Sequence, residues 1–270
     1  MVRFYGFNSI EFGYYRYYSY NEISNCILRF KLIIAYDGKN FVGFQKQKEG
    51  RSVQEELESV LTKINKTAIS VRGSGRTDAK VHALNQVACF NSEVDMGADQ
   101  YKKALNSSLP SDIYVKNVRV VDENFDPRHD ATMKTYKYIL NMGEYNVFAK
   151  DYIYQLNHKL DVEKIREAMV LFIGNHNFQN YCSNKEMYTY FREIFEFTLE
   201  EKDDILTWRI TGNGFMRYMV RYIIGTLIKI GENKIDKSFI EQTLNSNERR
   251  IISYKASGVG LYLESVNYEE

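Results

Sequence analysis

Phe-Lys-Leu-Ile-Ile-Ala-Tyr-Asp-Gly at residues 30–38, followed by Ser-Val-Gln-Glu-Glu-Leu-Glu-Ser-Val-Leu at residues 52–61, sets the pattern of the chain. Residues 30–35 are apolar and rich in β-branched side chains, and Asp37-Gly38 stops them. They read as a strand ended by a turn. Ser52 stands three residues before Glu55, the spacing of a capping box, which satisfies backbone N–H groups at a helix start. Behind it Val53, Leu57, Val60, Leu61 and Ile64 recur at helical spacing. Beyond the helix, residues 69–71 read as a short strand running into Gly73-Ser74-Gly75, and residues 86–90 as another. Residues 99–107 read as a helix that Leu109-Pro110-Ser111-Asp112 stops, and residues 113–121 alternate as a strand. The order strand, helix, strand, strand, helix, strand is that of a split βαβ unit.

The second half repeats this order loosely. Residues 135–141 read as a strand with alternating aromatics. Asp161 can cap a helix in which Val162, Ile165, Ala168, Met169 and Phe172 share a face. Strands are expected at 193–199, 206–210 and 261–268. A helix apolar nearly all round, hence buried, is expected at 215–230, and Asp236 opens another toward Leu244. No low-complexity linker separates the halves, and the boundary falls near Met133. The expected organisation is a tyrosine-rich leader at 1–29, an N-terminal half at 30–133 and a C-terminal half at 134–270. The two α+β halves are expected to share one sheet.

Composition narrows the function classes. The 270 residues are 44% hydrophobic, enough for a sizeable core, and carry 36 Lys+Arg against 35 Asp+Glu. A formal net charge of +1 argues against a surface that binds polyanions everywhere, yet allows a local basic cleft. Cys26, Cys89 and Cys182 are odd in number and form no CxxC pair, which speaks against a zinc site and a disulfide scaffold and for a reduced cytoplasmic setting. His82, His129, His158 and His176 show no metal-ligand spacing. No apolar stretch reaches the roughly 18 residues a membrane span needs. Residues 1–29 hold six tyrosines (Tyr5, Tyr14, Tyr15, Tyr17, Tyr18, Tyr20) and lack the apolar core of a secretory signal. A poorly ordered leader, a start called upstream of the true one, and a docking arm are the readings open for them.

The densest chemistry lies in Gly73-Ser74-Gly75-Arg76-Thr77-Asp78-Ala79-Lys80-Val81-His82-Ala83. Two glycines allow positive φ or close backbone approach. Arg76 and Asp78, two apart, can face one pocket from a loop or strand but not from a helix. An arginine beside the aspartate would keep it ionised and oriented, as a nucleophile or a base requires. A turn with Asp78 as a helix cap is the structural alternative. The stretch is not a phosphate loop, because no Gly-Lys-Ser/Thr follows, and it lacks the third glycine of a dinucleotide fingerprint. Asp78 also has no adjacent carboxylate for two-carboxylate hydrolysis.

Gly75-Arg76-Thr77-Asp78 followed by Val81-His82-Ala83 resembles the active-site motif of the tRNA pseudouridine synthase A (TruA) family. Further elements recur in the same order. They are Tyr36-Asp37-Gly38, Phe41, Gly43-Phe44-Gln45 and Gln47; Ser52-Val53-Gln54; Leu105-Asn106, Leu109-Pro110 and Asp112-Ile113. Arg128, Ala131, Lys134, Tyr136 and Tyr138 open the second half. Gly174, His176, Phe178, Thr189 and Arg192 follow, then Phe215, Met219-Val220-Arg221, Ile224-Gly225 and Gly260-Leu261. The resemblance runs from residue 30 to the end. It implies a pseudouridine synthase fold, α+β, with two ferredoxin-like halves sharing a mostly antiparallel central sheet on which helices pack.

It also implies an enzyme that isomerises uridines of the tRNA anticodon stem-loop to pseudouridine, as a cytoplasmic homodimer without metal, organic cofactor or ATP. The catalytic carboxylate falls on Asp78 and the arginine that helps displace the base on Arg76. The aromatic that packs on the base falls on Tyr136, and the basic residue that holds the aspartate on Arg221. Lys46 and Lys80 are candidate phosphate contacts at the cleft rim. Bland roles stand beside these. Tyr136 and Tyr138 alternate, so one of them is expected to face the core; His82 reads as an ordinary loop histidine and Cys89 as a buried strand thiol. Two departures from the family pattern bear on substrate range and rate: Lys80 stands where the family usually has Gly, and Asp126-Pro127 replaces the more usual His-Ala.

Overall fold

A computed structural model describes residues 27–269. Residues 1–26, most of the expected leader, lie outside the described residues. Ten strands and five α-helices follow one another as β1 (Leu28–Tyr36), α1 (Val53–Asn65), β2 (Arg72–Gly73), β3 (His82–Ser92), α2 (Ala98–Ser108), β4 (Ile113–Val121), β5 (Ala131–Asn141), β6 (Tyr154–Gln155), α3 (Val162–Met169), β7 (Gly174–Asn177), β8 (Phe191–Lys202), β9 (Ile205–Gly212), α4 (Met219–Gly231), α5 (Ser238–Asn245) and β10 (Leu261–Tyr268). All the strands form one sheet whose main path runs β4-β1-β3-β10-β5-β9-β8-β7.

The sheet order repeats. In the first half β2 pairs with β3, giving β4-β1-β3-β2; in the second the order is β10-β5-β9-β8. Each half thus has the strand order of a ferredoxin-like unit, and the two share one mostly antiparallel sheet in an α+β fold. The strand that closes the second half is also the seam. β10 lies antiparallel to β5 and pairs in parallel with β3, through Tyr262 opposite His82 and Leu263 opposite Ala83. Its Leu261 packs in the second core, around Trp208, Tyr138 and Phe172, while Leu263 and Val266 pack in the first, around Phe30, Phe90 and Tyr101. Deleting the C-terminal strand would therefore open both cores.

Local chemistry explains most element boundaries. Ser52 Oγ accepts the Glu55 N–H at 3.3 Å and starts α1, so the hydroxyl half of the expected capping box forms. Asp161 caps α3 by accepting the Lys164 N–H at 3.2 Å. Asp236 accepts from both the N–H and the Oγ of Ser238 ahead of α5. Some expectations shift. The strand expected at 86–90 runs from His82 to Ser92, which puts His82 on β3 and not in a loop. The short strand expected at 69–71 forms at Arg72–Gly73, because only there does the chain meet Cys89 and Ala88 of β3. α4 begins at Met219 and not at 215, since Tyr218 adopts φ 65°, a left-handed conformation that cannot continue a helix. Tyr136 and Tyr138 do not point to opposite faces. Residues two apart on a strand share a face, and both pack against the second core, Tyr138 fully buried and Tyr136 partly.

Candidate active site

The loop that carries Asp78 joins β2 to β3 and ends where β3 pairs with β10. It is held from both sides. Gly43 forms an isolated bridge with Asp78, and the Phe44 N–H donates to Thr77 O at 3.1 Å. Gly43 has φ +130°, and a Cβ there would meet Thr77 O at 2.6 Å, so the close approach requires glycine. Beneath the loop the Tyr36 and Thr77 hydroxyls bond at 2.7 Å, Ser74 Oγ donates to Gln86 Oε1 at 2.7 Å, and Gln86 Nε2 donates to Gly75 O at 3.1 Å. Asp78 is not a helix cap; it stands in a turn closed by the Val81 N–H on Asp78 O. The helix-cap alternative is thereby removed.

The Asp78 carboxylate is mostly buried, with 19% of its side chain accessible. Arg221 Nη1 stands 3.6 Å from its Oδ2. Arg221 is anchored in turn, its Nε donating to Ala256 O at 2.8 Å. Gly225, one turn along α4, lets the backbone of Tyr254 lie directly against the helix and so brings Lys255 and Ala256 to the site. Burial pushes the Asp78 pKa above the usual carboxylate value; Arg221, Arg217 and Lys255 pull it down without offsetting the burial. All three cations lie over the ring of Tyr218, at 5.2, 4.8 and 4.3 Å from its centre. The left-handed Tyr218 at the foot of α4 thus gathers the positive charge that faces Asp78.

Tyr136 joins this group from β5. Its ring meets Phe215 edge-on at 5.3 Å, and its hydroxyl pKa is raised by burial, then by the nearby Tyr36 and Asp78. Asp78, Arg221 and Tyr136 therefore converge. The other sequence candidates take different places. Arg76 is exposed and forms no ion pair among the described residues, so it is Arg221, and not Arg76, that stands beside the carboxylate. The neighbouring arginine that favours the ionised carboxyl is Arg221, and burial works against it. Lys46 is exposed on the loop before α1. Lys80 is exposed, and its charge helps to lower the Asp151 pKa.

Lys80 has φ 64°. A left-handed lysine costs roughly 1–2 kcal/mol, part of which glycine would return through its freer unfolded chain. Lys80→Gly is expected to raise the unfolding free energy by about 1 kcal/mol, or Tm by roughly 2–4 °C. Urea titration would show it, and an unchanged or lower midpoint would refute backbone strain at this position.

His82 is structural. It is 2% exposed, accepts the Gly38 N–H on Nδ1 at 3.0 Å and donates from Nε2 to Asp151 O at 3.1 Å, while stacking on Tyr262 at 4.7 Å. Burial lowers its pKa, opposed by Asp37, whose Oδ1 lies 3.2 Å from Nδ1. Cys89 is a buried thiol of β3. Among the described residues no group of three His, Cys, Asp or Glu side chains could hold a metal, and no helix is long and apolar enough to cross a membrane.

Sequence reasoning missed Arg217, Tyr218 and Lys255. Arg217 lies four residues before Arg221, a spacing that could have placed both on one side. Nothing local marks Lys255, which reaches the site only because its segment packs on Gly225.

The family model described as tRNA pseudouridine synthase matches residues 32–130 and 168–269. A protein of Exiguobacterium sp. strain AT1b named tRNA pseudouridine synthase A is 39% identical over 243 residues, covering 90% of this chain and 98% of its own. One of Bacillus cereus strain ZK, named tRNA pseudouridine synthase A 1, is 41% identical over 243 residues, with 89% and 98% covered. One of Thermodesulfovibrio yellowstonii, named tRNA pseudouridine synthase A, is 36% identical over 254 residues, with 90% and 100% covered.

Proposed function

The chain belongs to the tRNA pseudouridine synthase family and is an RNA pseudouridine synthase, and from that premise we propose that it isomerises uridines of the tRNA anticodon stem-loop with Asp78 as the catalytic carboxylate. One observation carries the reading: a single, partly accessible carboxylate stands under Arg221, with Arg217 and Lys255 acting on it and with Tyr136 nearby.

The reaction adds and removes no atoms. The bond between uracil N1 and the ribose breaks, the base turns, and a bond from C5 to the same sugar carbon forms; the C5 proton leaves and N1 gains one. One carboxylate serves this by attacking the sugar or base covalently, or by taking a sugar proton. Either route needs it charged, which Arg221, Arg217 and Lys255 favour against the burial. Either route also needs the freed uracil retained. A base stacked on Tyr136 gains roughly 1–3 kcal/mol, and the edge-on contact with Phe215 fixes that ring.

A base inside a stem must first be extruded at a cost of a few kcal/mol. Arg76, exposed on the same loop, is free to enter the gap or bind phosphate. Lys46 and Lys80 then serve as rim contacts to the RNA backbone. We further place the enzyme in the cytoplasm as a homodimer whose two subunits build the RNA cleft together.

The test is incubation of the purified chain with an unmodified tRNA transcript, no cofactor added, followed by pseudouridine mapping. Modification confined to the anticodon stem-loop is the expected result; modification elsewhere, or none, would sink the assignment. In the same assay Arg76→Ala is expected to lower turnover by about 10²-fold while leaving RNA affinity within a few fold, as loss of an interaction realised only with the base displaced implies. A loss confined to affinity would count against that role.

A further inference from the structure

Resting on the reading above, we propose that Arg217 and Lys255, gathered on the ring of Tyr218, hold a backbone phosphate of the target uridine itself. Two anchored segments place them. The Arg217 N–H donates to Asn184 Oδ1 at 3.1 Å, and Arg217 O accepts the Ser183 N–H at 3.2 Å, so the turn before α4 is pinned on residues 183–184. On the other side the Ala256 N–H donates to Arg221 O at 3.0 Å, which sets Lys255 beside α4. Tyr218 lies between. The Arg217 guanidinium carbon stands 4.8 Å from the ring centre, the Lys255 ammonium 4.3 Å and the Arg221 guanidinium carbon 5.2 Å. Arg217 Nη2 also donates to the Tyr218 hydroxyl at 3.0 Å. Three positive charges on one ring at these distances lie within about a Debye length of one another, roughly 10 Å at 0.1 M salt. They therefore act together on one anion.

Burial divides their work. Arg221 is half-buried and turned to Asp78, with Nη1 3.6 Å from Oδ2. Arg217 and Lys255 are exposed, and neither forms an ion pair among the described residues, so one carboxylate stands against three cations. Exposed cations without a partner occur elsewhere on this surface, Lys46 and Arg76 among them. Arg217 and Lys255 differ from those in sharing a ring with the arginine that holds the catalytic carboxylate. An anion that meets them is bound next to Asp78.

The substrate supplies that anion. Whichever route Asp78 follows, the ribose of the target uridine has to come to it. That ribose carries one phosphate on its 5′ side and one on its 3′ side, and brings both along. The planar fork of Arg217 and the point charge of Lys255 suit the non-bridging oxygens of one of them. The contact fixes the extruded nucleotide by its backbone while Tyr136 holds its base. None of Arg217, Tyr218 and Lys255 stands among the elements by which the chain resembles its family.

The experiment uses the full chain and a tRNA in which a single linkage, on the 5′ or the 3′ side of a mapped target uridine, is a neutral methylphosphonate. Each RNA is compared with one that carries the ordinary phosphate there, the sugar before the linkage being 2′-deoxy in both. Wild-type kcat/KM is expected to fall at least about tenfold on one of the two neutral RNAs, the size of a lost charge-assisted hydrogen bond, and to fall mainly through KM. The variant carrying Arg217→Gln and Lys255→Gln is expected to lose at least as much on the ordinary RNA. The neutral linkage should then cost this variant no more than about twofold further, because the partners of that phosphate are already gone. Wild-type indifference to both neutral linkages overturns the proposal, and needs no variant to fold. Losses from the variant and from the linkage that simply multiply overturn it too, since Arg217 and Lys255 would then serve only the charge of Asp78. Wild-type protein that forms no pseudouridine in fully natural tRNA overturns the underlying reading instead, so the two failures are told apart.

Discussion

Asp78→Asn is expected to lose at least about 10⁴-fold in pseudouridine formation, the upper range for one positioned acid–base group, and at the same time to melt at a higher temperature than the wild type. The two effects share one cause. Asp78 is mostly buried, and burial raises its pKa despite Arg221, Arg217 and Lys255. A carboxyl whose folded pKa lies above its unfolded value of 3.8 binds protons more readily in the folded state. Its favourable contribution is complete below pH 3.8 and is lost as pH rises through the folded pKa. At neutral pH the folded protein therefore carries an ionised group that it would hold more comfortably as a neutral one. Asparagine supplies that neutral group in the same shape, so stability rises as function disappears. Thermal melts at pH 7 and a tRNA modification assay check both halves. A lower melting temperature would mean that the cations outweigh desolvation. Residual modification near the wild-type rate would mean that another group does the chemistry. Wild-type activity should fall on acidification with a midpoint above pH 3.8, because the working form is the anion.

The elements most legible in the sequence were those whose side chains alternate or wind against one core. β4 and β10 have the limits that alternation gives, and α2 differs by one residue at each end, because a single buried face imposes the period. Short pieces escaped. β6 and β7, of two and four residues, are too brief for any period to register. The start of α4 was misplaced because Phe215 and Met216 are as apolar as the helix that follows, and apolarity does not reveal the left-handed Tyr218 that turns the chain.

The site divides the same way. Asp78 and its glycines are contiguous and could be read as a motif. Arg221, Tyr136 and Lys255 come to it from α4, β5 and the segment before β10. Only the family resemblance pointed to the first two, and nothing pointed to Lys255. Ion pairing was the weakest inference. Adjacency suggested Arg76 as the partner of Asp78, but a tight loop sends residues two apart in directions that backbone hydrogen bonds decide. Here the bonds from Phe44 and Lys80 clamp the loop while Arg76 stays in solvent.

Arg221→Gln is expected to reduce turnover at pH 7 by about 10²-fold or more, the usual size of a lost charge-stabilising contact, and to move the acid limb of the pH profile upward. The direction follows from the charges. Arg221 is the largest of the influences that favour the Asp78 anion, so removing it leaves burial less opposed and the carboxyl protonated to a higher pH. Part of the lost rate should return as pH is raised, which a merely structural defect would not produce. Arg221→Lys separates charge from geometry. An ammonium restores the positive charge, but it is a single point and cannot reproduce the fork that now bonds Ala256 O through Nε while turning Nη1 toward Asp78. The lysine variant should therefore recover the position of the acid limb more fully than the rate. A glutamine variant whose limb stays where the wild type has it would show that Arg221 packs α4 against residues 254–256 and does not govern the ionisation of Asp78.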